Sequence, residues 1–353
     1  MTSASAPADT AAAEERAAFV AGVSCYFFWG FLPLLFKAAT WAGAGSWEIV
    51  AWRTVWSLVV AAVTVLVLRG GPQVAAAFRS PATVGWLALS GLLIGANWSL
   101  FVWAVDTGHA LDASLGYYLN PLMSVAAGML LFRERIGRAG WAAIALAALG
   151  VAIQTAAHGG LPLAALGMAT SFCLYSIIRK RVAADALTGL FIECLVLAGP
   201  ALAYGLWLQS TGHGHALRPL AGLLLLISGP ATVAPLVTFA WAARRMPLST
   251  MGFLQFISPT LQFVFAVATG ERLNPMSLLA FAFIWSGVAI YAFTAWRKLR
   301  AADMVRVTRP KPAPPRQTGA GTYAWLTRRR DARPSVGKTS VEVLHETNDE
   351  DRK

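Results

Sequence analysis

The sequence predicts an all-α integral membrane protein with ten transmembrane helices in two inverted five-helix repeats. The evidence is a composition poor in charge, ten apolar stretches with polar breaks between them, and motifs that recur at a fixed spacing. Of the 353 residues, 57% are hydrophobic and only 13% are charged, whereas a soluble domain carries about 25% charged residues. Since so few charges cannot cover a soluble globule, we expect lipid to be the main solvent.

The apolar residues fall into ten stretches, each close to the 20 residues or so that a helix needs to cross the hydrocarbon core. Membrane barrel strands would alternate every second residue, and these stretches do not. The predicted helices cover residues 17–36, 48–68, 83–104, 111–132, 139–157, 162–178, 189–209, 221–241, 249–269 and 277–296.

The basic residues lie mainly on one predicted side of the membrane, as expected for cytoplasmic loops. With the N-terminus inside, the inner loops and the first tail residues hold Arg69, Arg79, Arg133, Arg135, Arg138, Arg179, Lys180, Arg181, Arg244, Arg245, Arg297, Lys298 and Arg300. The outer loops hold Lys37, Arg218 and Arg272. We therefore predict that both termini are cytoplasmic. The net charge of +12 does not indicate nucleic-acid binding, because 14 of the 29 basic residues follow Trp296 in a polar tail.

Three short motifs recur in the two halves at nearly constant spacing. They are Phe101-Val-Trp-Ala104 with Phe239-Ala-Trp-Ala242, Tyr118-Leu-Asn-Pro121 with Phe256-Ile-Ser-Pro259, and Glu134-Arg135 with Glu271-Arg272. The first two pairs are each 138 residues apart. Since a repeat of five helices is odd, its second copy must enter the membrane from the opposite side, as in alternating-access transporters. The predicted organisation is an N-terminal segment, two repeats and a disordered basic tail, at residues 1–16, 17–157, 158–298 and 299–353.

Several segments resemble the RarD proteins, a group within the EamA family of the drug/metabolite transporter superfamily. The resemblance covers about residues 17–298, and its segments are Tyr26–Lys37, Arg53–Ser57, Asn97–Trp103, Ala113–Pro121 and Leu254–Thr260. It implies a ten-helix permease of the bacterial inner membrane, built from two inverted EamA repeats. No physiological substrate follows from it.

A central cluster is the preferred candidate for the substrate pathway. Proline in a helix frees the carbonyl four residues earlier, and within a membrane that carbonyl needs a polar neighbour or a water-filled cavity. Kinking for helix packing alone is the competing interpretation. The cluster comprises Tyr117, Tyr118, Asn120 and Pro121 in the fourth span, with Gln255, Ser258 and Pro259 in the ninth. We expect Trp29, Gly30 and Pro33 of the first span to form a flexible wall of the same cavity.

Three further polar residues lie inside predicted spans, where ionisable groups are functional candidates by default. Arg53 and Glu193 lie near opposite membrane faces, roughly 15 Å apart along the normal, so we expect each to face a polar cavity or to reach its own interface. Asn97 lies mid-span, where it either bonds across helices or lines the pathway.

The leading functional hypothesis is a secondary transporter of small organic metabolites or drug-like compounds. The alternatives are a membrane-embedded lipid-modifying enzyme and a non-transporting receptor. An enzyme of that kind would cluster carboxylates or histidines at one interface, whereas His213 and His215 lie on an outer loop where we expect them to be solvated. We therefore predict no enzymatic activity, no metal and no cofactor. The expected partners are a small-molecule substrate and the lipid bilayer, with homodimer formation left open and nucleic acid excluded.

Overall fold

The computed structural model describes residues 6–107, 110–157, 163–268 and 275–308, and all regular secondary structure in these ranges is α-helical. The chain divides into two compact units, Met1–Leu299 and Arg300–Lys353. Residues 299–308 of the predicted disordered tail are helical, and the rest of that tail and the Glu271-Arg272 motif lie outside the described residues. The helices are α1 (Ala6–Trp41), α2 (Ser46–Val67), α3 (Gly71–Phe78), α4 (Pro81–Asp106), α5 (Ala110–Phe132), α6 (Arg138–Ala157), α7 (Leu163–Arg181), α8 (Ala186–Ser210), α9 (Pro219–Ala243), α10 (Leu248–Gln255), α11 (Ile257–Ala268) and α12 (Pro275–Thr308).

Seven of the described helices contain a segment long and apolar enough to cross a membrane: α1, α2, α4, α5, α6, α8 and α9. In α12 the apolar segment Leu278–Thr294 is shorter. The last turn of α7 carries three consecutive basic residues, Arg179 to Arg181, and the predicted ninth span is divided between α10 and α11. The chain is thus a multi-pass helical membrane protein, and the count of ten spans stays a prediction.

Many large apolar side chains point away from the rest of the protein. Among them, Leu66, Leu130 and Leu220 are each more than 60% exposed. Exposed apolar surface on this scale is unfavourable in water, whereas lipid tails solvate it well. This arrangement agrees with the low charge content of the sequence.

The two prolines at matching positions of the recurring motif, Pro121 and Pro259, have different effects on their helices. Pro259 cannot donate to the carbonyl of Gln255, and the chain turns at Phe256, whose N–H reaches the Phe253 carbonyl at 3.3 Å. This turn separates α10 from α11. Pro121, by contrast, lies inside α5, which continues without a break.

Close contact between α10 and α5 depends on Gly252. A Cβ at this position would lie 2.7 Å from the Pro121 carbonyl oxygen and 2.9 Å from Cγ2 of Val125. Both distances are shorter than real Cβ contacts allow, so only glycine fits without movement of one helix. The backbone of α10 therefore packs directly against the proline-containing segment of α5.

The opposite ends of the bundle are held by different contacts. One end, called the Glu48 end, is formed by the α1–α2 turn and the α8–α9 loop. There the Glu48 carboxylate accepts a hydrogen bond from the backbone N–H of His215 at 2.6 Å and lies 3.1 Å from Nδ1 of the His215 ring. His215, expected to be solvated, is thus partly buried and bonded to Glu48. At the Glu134 end, the Glu134 carboxylate accepts from the first two N–H groups of α10, at 2.7 and 2.9 Å. Lys180 donates there to the carbonyls of Ala243 and Met246.

We predict that Gly252→Ala lowers the free energy of unfolding by about 1–3 kcal/mol, the usual range for overpacking a close contact. Gly85→Ala is the matched control, because Gly85 is an exposed helical glycine whose added Cβ would meet no atom within 4 Å. That control should be neutral or stabilised by up to about 1 kcal/mol. The measurement is thermal unfolding of the purified proteins in detergent. Equal melting temperatures for the two variants would contradict the proposed contact.

Candidate functional site

A cavity of about 300 Å³ lies within the first unit. Its walls come from α1, α2, α4 and α5, with single residues from α7 and α10 and three from α11. Thr40 and Ser46, at the α1–α2 turn, are among the lining residues, so the cavity reaches the Glu48 end. At the other extreme it reaches Phe172, Gln255 and Ser258, in the interior of the bundle.

The cavity brings together nine of the twelve residues that the sequence predicted for the pathway. These are Trp29, Pro33, Arg53, Asn97, Tyr117, Asn120, Gln255, Ser258 and Pro259. The three residues that do not line it are Tyr118, Pro121 and Glu193. The predicted cluster therefore spans two environments, the cavity and the packed helices behind it.

Packing accounts for the two residues of α5 that lie off the cavity. The ring of Tyr118 lies 5.5 Å from that of Phe281, edge to face, in an apolar cluster with Phe256 and Ile284. The carbonyl of Pro121 faces Gly252. Since a helix turns by about 100° per residue, neighbours of Tyr117 and Asn120 necessarily point elsewhere.

Arg53 is buried, with 6% of its surface exposed. The carbon at the centre of its guanidinium lies 3.8 Å from the ring centroid of Trp98 and 5.1 Å from that of Phe36. Its Nε has no hydrogen-bond partner, and among the described residues no carboxylate pairs with it. The two rings stabilise the cation through their π faces.

The amides around the cavity fall into two groups. Asn97 donates from Nδ2 to the Met168 carbonyl at 2.8 Å and to Ser171 Oγ at 3.2 Å. Asn97 therefore lines the cavity and also bonds across helices, so it has both of the roles that the sequence left open. The side-chain oxygens of Asn120 and Gln255 are buried and have no hydrogen-bond partner. An unsatisfied buried polar atom costs about 1–3 kcal/mol, so these two positions favour a polar ligand group or water.

Aromatic rings close the deep part of the cavity. The Trp29 ring centroid lies 5.5 Å from Tyr26 and 5.8 Å from both Phe172 and Phe239. Beside it, Gly30 is so close to Leu261 that a Cβ there would lie 2.6 Å from that side chain. The wall expected to be flexible is instead tightly packed. Ser258 holds it to α11 by donating from Oγ to the Tyr26 carbonyl at 2.6 Å.

Fourteen lining residues are absent from the predicted set, and four of them are Tyr26, Lys37, Phe172 and Gln262. Lys37 was assigned to the outer loop from its charge, and the other three resemble ordinary span residues. The spacing of Trp29, Pro33 and Lys37 could have indicated that Lys37 lines the cavity, because residues four apart share one helix face.

Comparison with known proteins places this architecture in a family. The profile of the EamA-like transporter family matches residues 16–156. An uncharacterized transporter of Vibrio cholerae is 39% identical over 83% of this chain and 97% of its own length. Protein RarD of Escherichia coli K12 is 38% identical over 80% of this chain and 96% of its own. The chain belongs to the RarD proteins of the EamA-like transporter family.

Two further matches agree with this assignment. Protein RarD of Streptomyces exfoliatus is 38% identical over 81% of this chain and 91% of its own. A crystal structure with 21% sequence identity superposes with a TM-score of 0.61, covering 79% of this chain and 98% of that one; it supports the fold alone. This RarD-family protein is therefore a membrane transporter.

Glu193, predicted for the pathway, instead forms a buried ion pair in this RarD-family protein. Its Oε1 lies 3.4 Å from Nη1 of Arg179 and accepts the hydroxyl of Ser90. Arg179 also donates from Nη2 to the Ala186 carbonyl at 2.8 Å. The sequence placed Arg179 in an inner loop, but it is 1% exposed. The pair joins α7 to α8 behind the cavity, so its first role is structural.

We predict that Glu193→Gln destabilises the protein by about 3–5 kcal/mol, because it leaves the Arg179 cation buried without an anion. Glu14→Gln is the control, since Glu14 forms an exposed pair with Arg245 and such pairs contribute less than about 1 kcal/mol. The double variant Arg179→Met/Glu193→Met should recover at least half of the loss. Thermal unfolding in detergent measures all three. A double variant as unstable as Glu193→Gln would show that the unpaired charge is not the cause.

Proposed function

We propose that the protein is a secondary transporter that moves small organic molecules across the bacterial inner membrane by alternating access. The observation that carries this proposal is the cavity, which enters from the Glu48 end and stops at buried polar groups inside the bundle. Its volume of about 300 Å³ lies at the lower end of the range for small-molecule sites.

Contacts at the Glu134 end support a state that is closed on one side. Lys180 joins α7 to the α9–α10 connection through carbonyls at 3.0 and 2.5 Å, and Arg181 donates to the Leu131 carbonyl at 3.1 Å. Arg244 donates to the Ala184 carbonyl. These are side-chain bonds to backbone groups at helix ends, so they can break and reform without unfolding a helix. Such contacts suit a gate that opens when the cavity closes at the other end.

The order and packing of the helices support two related repeats. Shifted by the 138-residue spacing of the motifs, α2 falls on α8, α4 on α9, and α5 on α10 and α11. The packing is reciprocal: α1 packs on α9 and α7 on α4, while α2 packs on its own counterpart α8. In transporters with inverted repeats, substrate binds between the halves and the halves rock around it.

The distribution of basic residues gives the proposed orientation. Arg69, Arg133 and Arg244 lie toward the Glu134 end, at the ends of α2, α5 and α9. By the positive-inside rule that end is cytoplasmic. The cavity described here would then face outward, with its cytoplasmic side closed.

An acid–base enzyme is a poorer fit to the same cavity. Its described lining includes neither a carboxylate nor an imidazole, which are the usual groups for proton transfer. The Vibrio cholerae relative is likewise named as an uncharacterized transporter.

The direct test is flux from proteoliposomes loaded with a bacterial small-metabolite extract, with mass spectrometry of what each vesicle retains. At least one compound should leave protein-containing vesicles faster than empty ones. The proposal of transport fails if none does.

Blocking the cavity tests the pathway separately. Thr40→Cys places a thiol at the cavity mouth, whereas the described native cysteines, Cys25, Cys173 and Cys194, are buried. A bulky, membrane-impermeant maleimide added from outside should lower flux at least ten-fold. Leu217→Cys is the control, since Leu217 is 87% exposed at the same end and does not line the cavity. Its labelling should change flux less than two-fold, and equal inhibition of both would contradict the pathway.

A further inference from the structure

We infer that the transported substrates are small organic monocarboxylates with a planar or apolar body, and that Arg53 binds the carboxylate. The inference rests on the proposed transport function and adds its substrate class. It comes from the charge balance of the cavity, the surroundings of Arg53 and the chemistry of the remaining walls.

The described lining of the cavity is positively charged. Arg53 and Lys37 are its charged members, and the nearby carboxylates have other partners. Glu48, on the same helix as Arg53, pairs with His215, and Glu193 pairs with Arg179. Two cations with no facing carboxylate favour an anion in the space between the walls.

The position of Arg53 favours a ligand contact over a structural one. Structural buried cations in proteins are paired or bonded to backbone carbonyls, as Arg179 is here. Arg53 has neither kind of partner among the described residues, and unlike Arg179 it lines the cavity. A substrate anion would supply the missing charge.

The rings beside Arg53 explain why a carboxylate fits. Trp98 and Phe36 contact the guanidinium through their faces, which leaves its N–H groups to donate in the plane of the group. A carboxylate accepts two such parallel N–H bonds. One deep cation, with Lys37 placed toward the mouth over the Trp41 ring at 5.4 Å, suits a single negative charge at the binding position.

The remaining walls of the cavity indicate the chemistry of the body of the substrate. The rings of Phe101 and Tyr117, 5.7 Å apart, and that of Trp29 offer apolar faces. The unpartnered oxygens of Asn120 and Gln255 provide acceptors for a hydroxyl or N–H group. The predicted ligand thus has one anionic group, and the rest of it is aromatic or a compact apolar body.

The test compares flux of matched pairs in proteoliposomes at pH 7.5, where carboxylic acids are ionised. The probes are benzoate, phenylacetate, indole-3-acetate and cyclohexanecarboxylate, each with its neutral primary amide, and passive flux into empty vesicles is subtracted. For the wild type, at least one acid should move ten-fold faster than its amide. The metabolite extract serves as the positive control for transport.

Variants assign the preference to Arg53. Arg53→Gln should reduce acid flux at least ten-fold and bring it to the level of the amide, while Arg53→Lys should retain part of the preference because it keeps the charge. Arg138→Gln, an exposed arginine at the start of α6, should change neither flux by more than two-fold. Should Arg53→Gln not fold, the acid-to-amide ratio of the wild type and of Arg53→Lys decides the question.

The outcomes separate the two proposals. If amides move as fast as acids, if Arg53→Gln keeps the preference, or if only other extract compounds move, the substrate assignment is wrong and transport stands. If neither the probes nor any extract compound moves, transport itself is wrong.

Discussion

The hydrocarbon core of a membrane offers no water, so each polar group must find a partner in the protein or face an aqueous cavity. Six buried polar residues of the bundle show how this constraint is met. Glu193, Arg179 and Asn97 have partners on neighbouring helices. Arg53, Asn120 and Gln255 have unpartnered atoms and line the cavity. Arg179 and Glu193 also have unpartnered atoms, but these belong to an ion pair that joins α7 to α8. The three residues that line the cavity therefore mark the candidate site.

The contrast between Arg53 and Arg179 is the clearest example. Both are buried arginines inside helices, and both lie in a protein of low charge content. Arg179 has a carboxylate and a backbone carbonyl, so its charge is balanced without a ligand. Arg53 has only two aromatic faces. Aromatic contacts offset part of the desolvation of a cation but not its net charge, and the cavity beside it gives an anion access.

The paired prolines show how one sequence feature can have two structural outcomes. Both remove a backbone donor, yet only α10 and α11 separate, while α5 stays continuous and receives Gly252 against its Pro121 carbonyl. The two proline-containing segments therefore differ in backbone structure.

The sequence by itself determined the helical class, the lipid solvent and nine of the residues that line the cavity, because hydropathy, proline chemistry and motif spacing are local properties of the chain. The resemblance of its segments to the RarD proteins indicated the family. Only the tertiary structure decided that Glu193 pairs with Arg179, that Tyr118 turns away from the cavity, and that Lys37 and Phe172 join it. It also decided that Trp29 and Gly30 form a packed wall. These outcomes depend on the rotation of each helix about its axis and on which helices approach closely. Neither is encoded by residues that are neighbours in sequence, since Arg53 and Trp98 meet across 45 residues and Ser258 and Tyr26 across 232.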